Sequence, residues 1–371
     1  MATFDLIVVG AGIVGLAHAL AAARRGLRVA VLERDARATR ASVRNFGFVT
    51  VSGQAGETRR RAIRSREIWL EVAPAAGIDI LQRGAVIVAR REEALAVLEQ
   101  FAAGPMGAGC KIWNAREIRR QLPRLRPDVA GALASEHEVR VEAREALPRL
   151  ASWLQERHGV AFWWGTPVLQ VDGTEVRMAG ERFEASAIVV APGSAIVDFA
   201  PALAQRHRMR YCVLQMMRAL PAPQDLRLPA TLMTDLSLLR YEGFAAQPAA
   251  SRLRTRLERE CAPQLAHGVH LIVAQGADGS LVLGDSHRYE DREDPFARAE
   301  VEALILGELD ALIDLPAVRV AERWLGYYPV ADVTPLVSEP IAPRVQLVSI
   351  TNGLGMSTAF AIGEETVATL F

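Results

Sequence analysis

The sequence predicts an α/β protein: a parallel sheet that opens on a βαβ unit and carries a β-meander, with any second domain woven into it. Three observations predict this. The chain opens with a short apolar run, a glycine turn and an Ala-rich stretch, which read as a βαβ unit. Residues 168–191 read as short strands joined by tight turns that feed a buried strand. No repeat, low-complexity tract or Gly/Ser linker divides the chain, so a second domain must be interleaved with the first.

The elements follow in order. Phe4–Val9 is an apolar run of strand length, Gly10–Gly15 a glycine turn, and Leu16–Arg25 a helix closed by Gly26. Leu27–Leu32 is a second buried strand that closes on Glu33. Residues 57–73 are expected to be helical, with Pro74 and Gly77 ending them. A strand is expected over 83–89 and a helix over Glu92–Ala103. Asn114 and Glu117 have N-cap and N3 spacing, which starts a short helix, Ala115–Leu122, that Pro123 stops. Arg144–His158 is a helix ended by Gly159. Val168–Val171, Glu175–Met178 and Arg182–Ala185 form the meander, turned by Asp172-Gly173 and Ala179-Gly180, before the apolar strand Ile188–Ala191 and Pro192-Gly193. β character returns over 210–218, His270–Gln275 and Ser280–Gly284, the last two joined at Asp278-Gly279. Asp294 and Pro295 read as the N-cap and first residue of a helix running to about Ile313. The tail is a strand, Val345–Ile350, a glycine turn, Asn352–Gly355, and a terminal helix.

Composition narrows the function. The chain has 371 residues, 50% of them apolar, enough for two domains or one large one. Lys+Arg and Asp+Glu both count 43, and a net-neutral chain lacks the basic surface that nucleic acids require. Only one basic residue is a lysine, Lys111, which reads as the codon bias of a GC-rich bacterium. Cys110, Cys212 and Cys261 form no CxxC pair and no His/Cys cluster, so neither a disulfide framework nor a metal site is expected. Asp5 stands directly before the first apolar run, which is not how a signal peptide begins. No stretch approaches the about 18 uncharged apolar residues of a membrane span. A cytoplasmic protein is the expectation.

Gly10, Gly12 and Gly15 form GxGxxG between a strand and a helix, and Glu33 ends the next strand. Each residue type has a task in binding a dinucleotide. Gly10 permits the tight turn, Gly12 lets backbone approach a pyrophosphate, and Gly15 packs helix on strand. The N–H groups at Gly12, Ile13 and Val14 then face the phosphates. Glu33, with Arg34 beside it, is placed to accept from ribose hydroxyls and would repel a 2′-phosphate. The fingerprint serves NAD and FAD alike. Two features favour FAD. The meander ends in IVVAPG, with Ala191 and Gly193, as it does in flavoproteins of the glutathione-reductase kind. Asn352-Gly353-Leu354-Gly355-Met356 opens a second helix on glycine, and backbone N–H groups there suit a flavin edge that gains negative charge on reduction.

With these pieces in order, the chain resembles the D-amino-acid oxidase/glycine oxidase superfamily of FAD-dependent oxidoreductases. The likeness rests on DLIVVGAGIVGLAHALAAARRGLRVAVLERD, VRVEAREALPRLASWLQERHGV, IVVAPG, WLGYYPVADVTPLV and TNGLGMSTAFAIGEETVATL. It spans essentially the whole chain and is weak over 205–270. The resemblance implies a Rossmann-type FAD domain of the glutathione-reductase kind from residues 1–80, 137–205 and 322–371, and an interleaved antiparallel β-sheet substrate domain from 81–136 and 206–321. It implies hydride transfer from the carbon beside a small neutral amine to flavin N5, imine hydrolysis, and reoxidation by dioxygen or another acceptor. Ser42, Arg44, Asn45 and Gly47 lie where the family threads past the flavin, and Val168 where its backbone meets the adenine. No cysteine lies within 324–356, where some relatives attach their flavin, so non-covalent FAD is expected.

One departure bears on the substrate. Relatives that oxidise α-amino acids carry Gly-x-Arg-Pro after the late Trp, and that arginine clamps a carboxylate. This chain has Trp324-Leu325-Gly326-Tyr327-Tyr328-Pro329, so Tyr328 takes the arginine's place. Gln215, Met217, His287, Tyr289, Arg323, Trp324, Tyr327 and Tyr328 are the substrate-site candidates. VRNFGFV, LQMMR, LGDSHRYED and ERWLGYYP look like a bacterial subgroup associated with aminophosphonate breakdown. That likeness implies 2-aminoethylphosphonate or its N-methyl form, with Arg210, Arg218, Arg240, His287 or Arg323 on the phosphonate. A glycine/sarcosine-type oxidase, an NAD-dependent dehydrogenase and a non-catalytic FAD-binding subunit are the competing readings.

Overall fold

The computed structural model describes residues 3–222 and 225–371. Two large sheets share the chain. The path of the first runs Leu336–Ala342, Val345–Ile350, Arg182–Val190, Thr3–Val9, Val29–Leu32, Ala161–Trp163. All pairings along it are parallel except that of the Leu336–Ala342 edge strand. Thr3–Val9 has the next strand of the chain on one side and a much later one on the other. The strand order therefore reverses there, and a crevice opens beyond its C-terminal end.

Helices Ile13–Arg24, Gly56–Ala75, Ala143–His158 and Gly355–Leu370 cover one face, burying Leu6, Val8, Leu16, Trp69, Leu150 and Phe360. The first and last of these helices approach closely: a Cβ on Gly363 would stand 2.8 Å from Ala17 backbone. Trp69 packs edge-on against Phe360 at 5.0 Å and donates Nε1–H to Met356 O at 2.8 Å, so its one polar atom is satisfied in the core. The meander covers the other face, with Phe4, Trp163 and Phe183 in mutual ring contact. Its third strand and the apolar strand expected to follow are one strand, Arg182–Val190. The strand pairs with Glu175–Arg177 at its outer end and with Thr3–Val9 along its length, so no turn is needed between the two.

The second sheet has ten strands. It is antiparallel except where Thr231–Thr234 lies parallel to Ile80–Ala89. Strands Gly131–Val141 and Ala317–Val330 belong to it, and each runs through a domain boundary expected from the sequence, at 136 and 322. The long pair Arg210–Ala222 and Ala317–Val330 sets Cys212 opposite Tyr328 and Gln215 opposite Leu325. Helices Glu92–Ala103 and Ala250–Glu260 pack on one face through Phe101, Phe244, Leu253 and Leu257. Helix Ala299–Leu312 packs on the other through Ile305 and Leu309.

That helix starts later than Asp294-Pro295 suggests. Asp294 spends its carboxylate on Phe296 N–H at 3.0 Å and on Arg288 at 2.6 Å. The amide of Gln215 then pins both backbone groups of Arg298, at 2.9 Å each, and the helix starts from that residue, whose O also accepts Glu302 N–H at 3.3 Å. The expected capping box of Asn114 and Glu117 is present. Among the described residues, no helix is long and apolar enough to cross a membrane.

Candidate active site

The crevice beyond Thr3–Val9 is built by the glycines. Gly10 has φ +107°, and a Cβ on it would lie 2.4 Å from Ala191 O. A Cβ on Gly15 would lie 1.8 Å from Gly10 O, so the helix can sit on the turn only with hydrogen there. Helix Ile13–Arg24 begins at Gly12 with no side-chain cap and no acid in its first turn. Ile13 N–H bonds Ser42 Oγ at 3.0 Å; the remaining first-turn N–H groups have no intrahelical acceptor. The Glu33 carboxylate accepts Ala11 N–H at 2.7 Å and Asp35 N–H at 3.0 Å, and each oxygen keeps a second lone pair. Arg34 is exposed, and Val168 packs on the cluster under Val29–Leu32.

The terminal helix opens onto the same space. It begins at Leu354, also without a side-chain cap or an acid in its first turn. Gly355 lies against Ile13, and Gly353, at φ +76°, lies against the Tyr328 ring. Two positive helix ends thus point into one cavity that opens to solvent. Ile13, Val14, Ser42, Arg44, Asn45, Gly193 and Asn352–Met356 line it from the first sheet's side. The chain's own hydrogen bonds aim Arg44 and Asn45: Arg44 donates to Thr39 O and Leu325 O, and Asn45 bridges Ala41 O and Gly47 N–H. Gly47 does not line the cavity; with φ +67° it crosses Val141 at a distance no Cβ would allow. These residues fit a flavin dinucleotide: a glycine cradle, uncapped helix ends for its negative groups, and a long cavity for its rings.

The second sheet supplies the opposite wall, with Arg240, Tyr241, His270, Asp285, His287, Tyr327 and Tyr328. Arg240 donates to Tyr328 Oη at 3.0 Å and reaches Tyr289 Oη at 3.5 Å. It makes no ion pair among the described residues. His270 Nε2 is 3.1 Å from Asp285 Oδ1, and His287 Nε2 is 3.6 Å from Asp285 Oδ2. Ser237 Oγ holds His270 Nδ1 at 3.1 Å, and Gly268 O holds His287 Nδ1 at 3.1 Å. Burial pushes the Asp285 carboxyl up to about 7, against the pull of Arg240. Burial, reinforced by Arg240, holds both imidazoles well below their ordinary value. Burial also raises the Tyr328 and Tyr241 phenols, so both stay neutral.

Several expected site residues are occupied elsewhere. Arg323 is an exposed side chain gripped by both oxygens of Glu302, at 2.5 and 2.7 Å. Gln215 serves the Arg298 backbone and does not line the cavity. Met217 is core. Trp324 lies under Arg144, 4.8 Å from its ring centroid, beside a neighbouring groove. Tyr289 is 45% exposed and lines an outer cavity that shares Arg240 and Tyr328 with the main one. Of the anion candidates, Arg210 pairs with Asp332, Arg218 with Asp278 and Arg323 with Glu302, leaving Arg240 and His287 at the cavity. Tyr241, His270 and Asp285 escaped the sequence reading. The Asp278-Gly279 turn held the signal, because the hairpin register it sets brings 270 opposite 285–287.

Fold and cavity together define a dinucleotide-binding oxidoreductase. Residues 5–369 match the DAO family, described as FAD dependent oxidoreductase, and the chain belongs to that family. Its cofactor is FAD. The chain is similar to glycine oxidase from Geobacillus kaustophilus, with TM-score 0.76 and 20% identity, over 100% of this chain and 95% of that one. It is similar to L-proline dehydrogenase from P. horikoshii, with TM-score 0.77 and 18% identity, over 98% and 91%. A curated relative from Rhizobium meliloti, one of the subunits of an opine oxidase, is 30% identical over 173 residues. That match spans 43% of this chain and a little under half, 46%, of the relative.

Proposed function

We propose that the protein oxidises the C–N bond of a small amine carrying an anionic group, and that the anion is a phosphonate, as in 2-aminoethylphosphonate or its N-methyl form. FAD, when bound, supplies the hydride acceptor. Gly10, Gly12 and Gly15, with the free N–H of Val14 at the helix start, would hold its pyrophosphate, and Glu33 its ribose. Ser42, Arg44, Asn45, Gly193 and Asn352–Met356 surround the rest.

The carrying observation is Arg240. It is a guanidinium in the cavity wall, bonded to tyrosine hydroxyls and paired with no carboxylate among the described residues. An unpaired cation that faces open space is a ready anion site. Of its five N–H donors two serve the tyrosine hydroxyls, and the others can serve the three oxygens of a phosphonate. The names of the relatives favour a second reading, an amino acid oxidase of the glycine/sarcosine type, in which Arg240 would stand in for the arginine replaced by Tyr328.

An anaerobic visible titration with glycine, sarcosine, 2-aminoethylphosphonate and its N-methyl derivative tests both. Flavin bleaching by the phosphonates alone supports the first reading, and bleaching by glycine or sarcosine alone the second. A flavin that no amine bleaches would refute both and favour a non-catalytic FAD-binding subunit.

A further inference from the structure

Asp285 is the only carboxylate among the described residues that line the cavity; its other charged or titratable side chains are Arg44, Arg240, His270, His287, Tyr241, Tyr327 and Tyr328. A buried carboxylate with a purely structural task has its oxygens hydrogen-bonded. Asp285 does not. Its Oδ1 and the facing His270 Nε2 are shut off from open space, and neither has a hydrogen-bond partner although they stand 3.1 Å apart. Oδ2 has His287 Nε2 at 3.6 Å, beyond hydrogen-bond reach, and the residue lines the cavity. Backbone bonds tie the residue to His270, N–H to O in both directions at 3.1 Å, so the carboxyl is held in place rather than free to swing.

The chemistry proposed above needs a group of this kind. A substrate amine arrives as an ammonium ion, and a C–N bond gives up hydride only from the neutral amine. We propose that Asp285, braced by His270 and His287, binds the substrate ammonium and takes the proton it must lose. This rests on the amine-oxidation reading. The step is R–NH3+ plus Asp285–COO− giving R–NH2 plus Asp285–COOH; one N–H bond breaks, one O–H bond forms, and no electrons leave carbon. A neutral His287 that donates from Nδ1 to Gly268 O presents the lone pair of Nε2 to Oδ2, a place for the new O–H to point.

The surroundings keep the exchange local. Arg240 stays cationic, while burial holds Tyr241, Tyr328 and Cys212 in their neutral forms, the Cys212 thiol being pushed up to about 12. Among the described residues that line the cavity, Asp285 is the group that changes charge near neutral pH, while burial holds both histidines neutral. Arg240 for the anion and Asp285 for the cation then give one cavity both ends of a zwitterionic substrate.

The test compares FAD-loaded wild type with D285N, following anaerobic flavin bleaching by 2-aminoethylphosphonate and its N-methyl form from pH 6 to 10. An alkylammonium group loses its proton near pH 10.4, so D285N should be about 100-fold slower at pH 7 and within about 5-fold at pH 10. D285E should recover part of the loss at pH 7, with FAD content unchanged throughout. A D285N profile that parallels the wild type overturns the assignment. Should no amine bleach the wild-type flavin, the amine-oxidation reading fails, and binding still reads the site. Flavin absorbance shifts should then show wild type preferring 2-aminoethylphosphonate over propylphosphonate at least 10-fold, and D285N showing no preference. Absence of that preference in wild type overturns the ammonium site. So does one equivalent of a divalent cation bound to wild type and lost in D285N.

Discussion

Replacing Arg240 by methionine is the sharpest test of the anion site. The change removes the guanidinium and keeps much of the stem's bulk. Nothing charged is stranded, because Arg240 has no ion-pair partner among the described residues, and water in the cavity can reach the hydroxyls of Tyr328 and Tyr289. The fold should therefore stand, with FAD retained. A hydrogen bond to a charged group contributes about 1.5–3 kcal/mol. Loss of the fork's contacts should thus raise Kd for an anion-bearing amine by roughly 10- to 150-fold. Tyr328→Phe keeps the cation and removes one hydroxyl, so it should cost about 0.5–1.5 kcal/mol, at most roughly tenfold. The assay is anaerobic flavin titration with 2-aminoethylphosphonate beside propylamine, which has no anion. Arg240→Met should weaken the first by the larger factor and the second much less, since propylamine loses only the pull of Arg240 that keeps Asp285 ionised. Equal loss for both, or a Kd for the phosphonate within twofold of wild type, would refute the reasoning.

Other expectations follow from the same geometry. Gly15→Ala places a Cβ 1.8 Å from Gly10 O, a clash with backbone that no rotamer relieves; it should cost about 3 kcal/mol or more and yield a colourless protein after gel filtration. Glu33→Ala leaves the N–H groups of Ala11 and Asp35 without their acceptor, at about 1–3 kcal/mol each if water cannot replace it, and should lower the flavin-to-protein absorbance ratio. The Asp285 carboxyl titrates at about 7 when folded against an ordinary 3.8, so the native state binds the extra proton between those values. Its contribution to stability falls as pH rises from about 4 to 7, by roughly 4 kcal/mol if the whole difference is realised. His270 and His287, held neutral, work in the opposite sense, losing stability as pH falls below 6.5. D285N should accordingly melt higher than wild type at pH 8 and lose that advantage at pH 5, as scanning calorimetry would record.

The cofactor side was legible because its signals are local. GxGxxG, the strand before it and Glu33 occupy one short stretch, and within it the 1.8 Å approach of Gly15 to Gly10 O demands glycine. The terminal glycine helix was legible for the same reason. The substrate wall depends on pairing between distant segments. Arg323 and Tyr328 lie on one strand, Ala317–Val330, yet Tyr328 faces the cavity while Arg323 reaches Glu302 outside. An odd separation along a strand sends side chains to opposite faces, but the strand itself went unread because its outer half alternates charged residues. Asp285 stands in LGDSHRYED as one polar residue among several, and the sequence shows neither its burial nor the approach of His270.

Charge explains why the two walls belong together. The first sheet contributes two helix N-termini without a first-turn acid, and the second contributes Arg240, so the cavity is positive nearly throughout. Such a space favours a dinucleotide pyrophosphate, a reduced flavin edge and an anionic substrate at once, and it opposes an ammonium ion. One carboxylate among the lining residues changes that balance. Buried alone, Asp285 would take a proton and be neutral; with Arg240 pulling the other way, its titration falls near neutrality. At that point it can hold an ammonium as a carboxylate and take up the proton at a smaller cost than an ordinary aspartate, which is the stronger acid. A stronger acid would bind the ammonium and never deprotonate it, and a weaker one would not attract it. Placing a single carboxyl where desolvation and an arginine oppose each other gives the site both abilities from one residue.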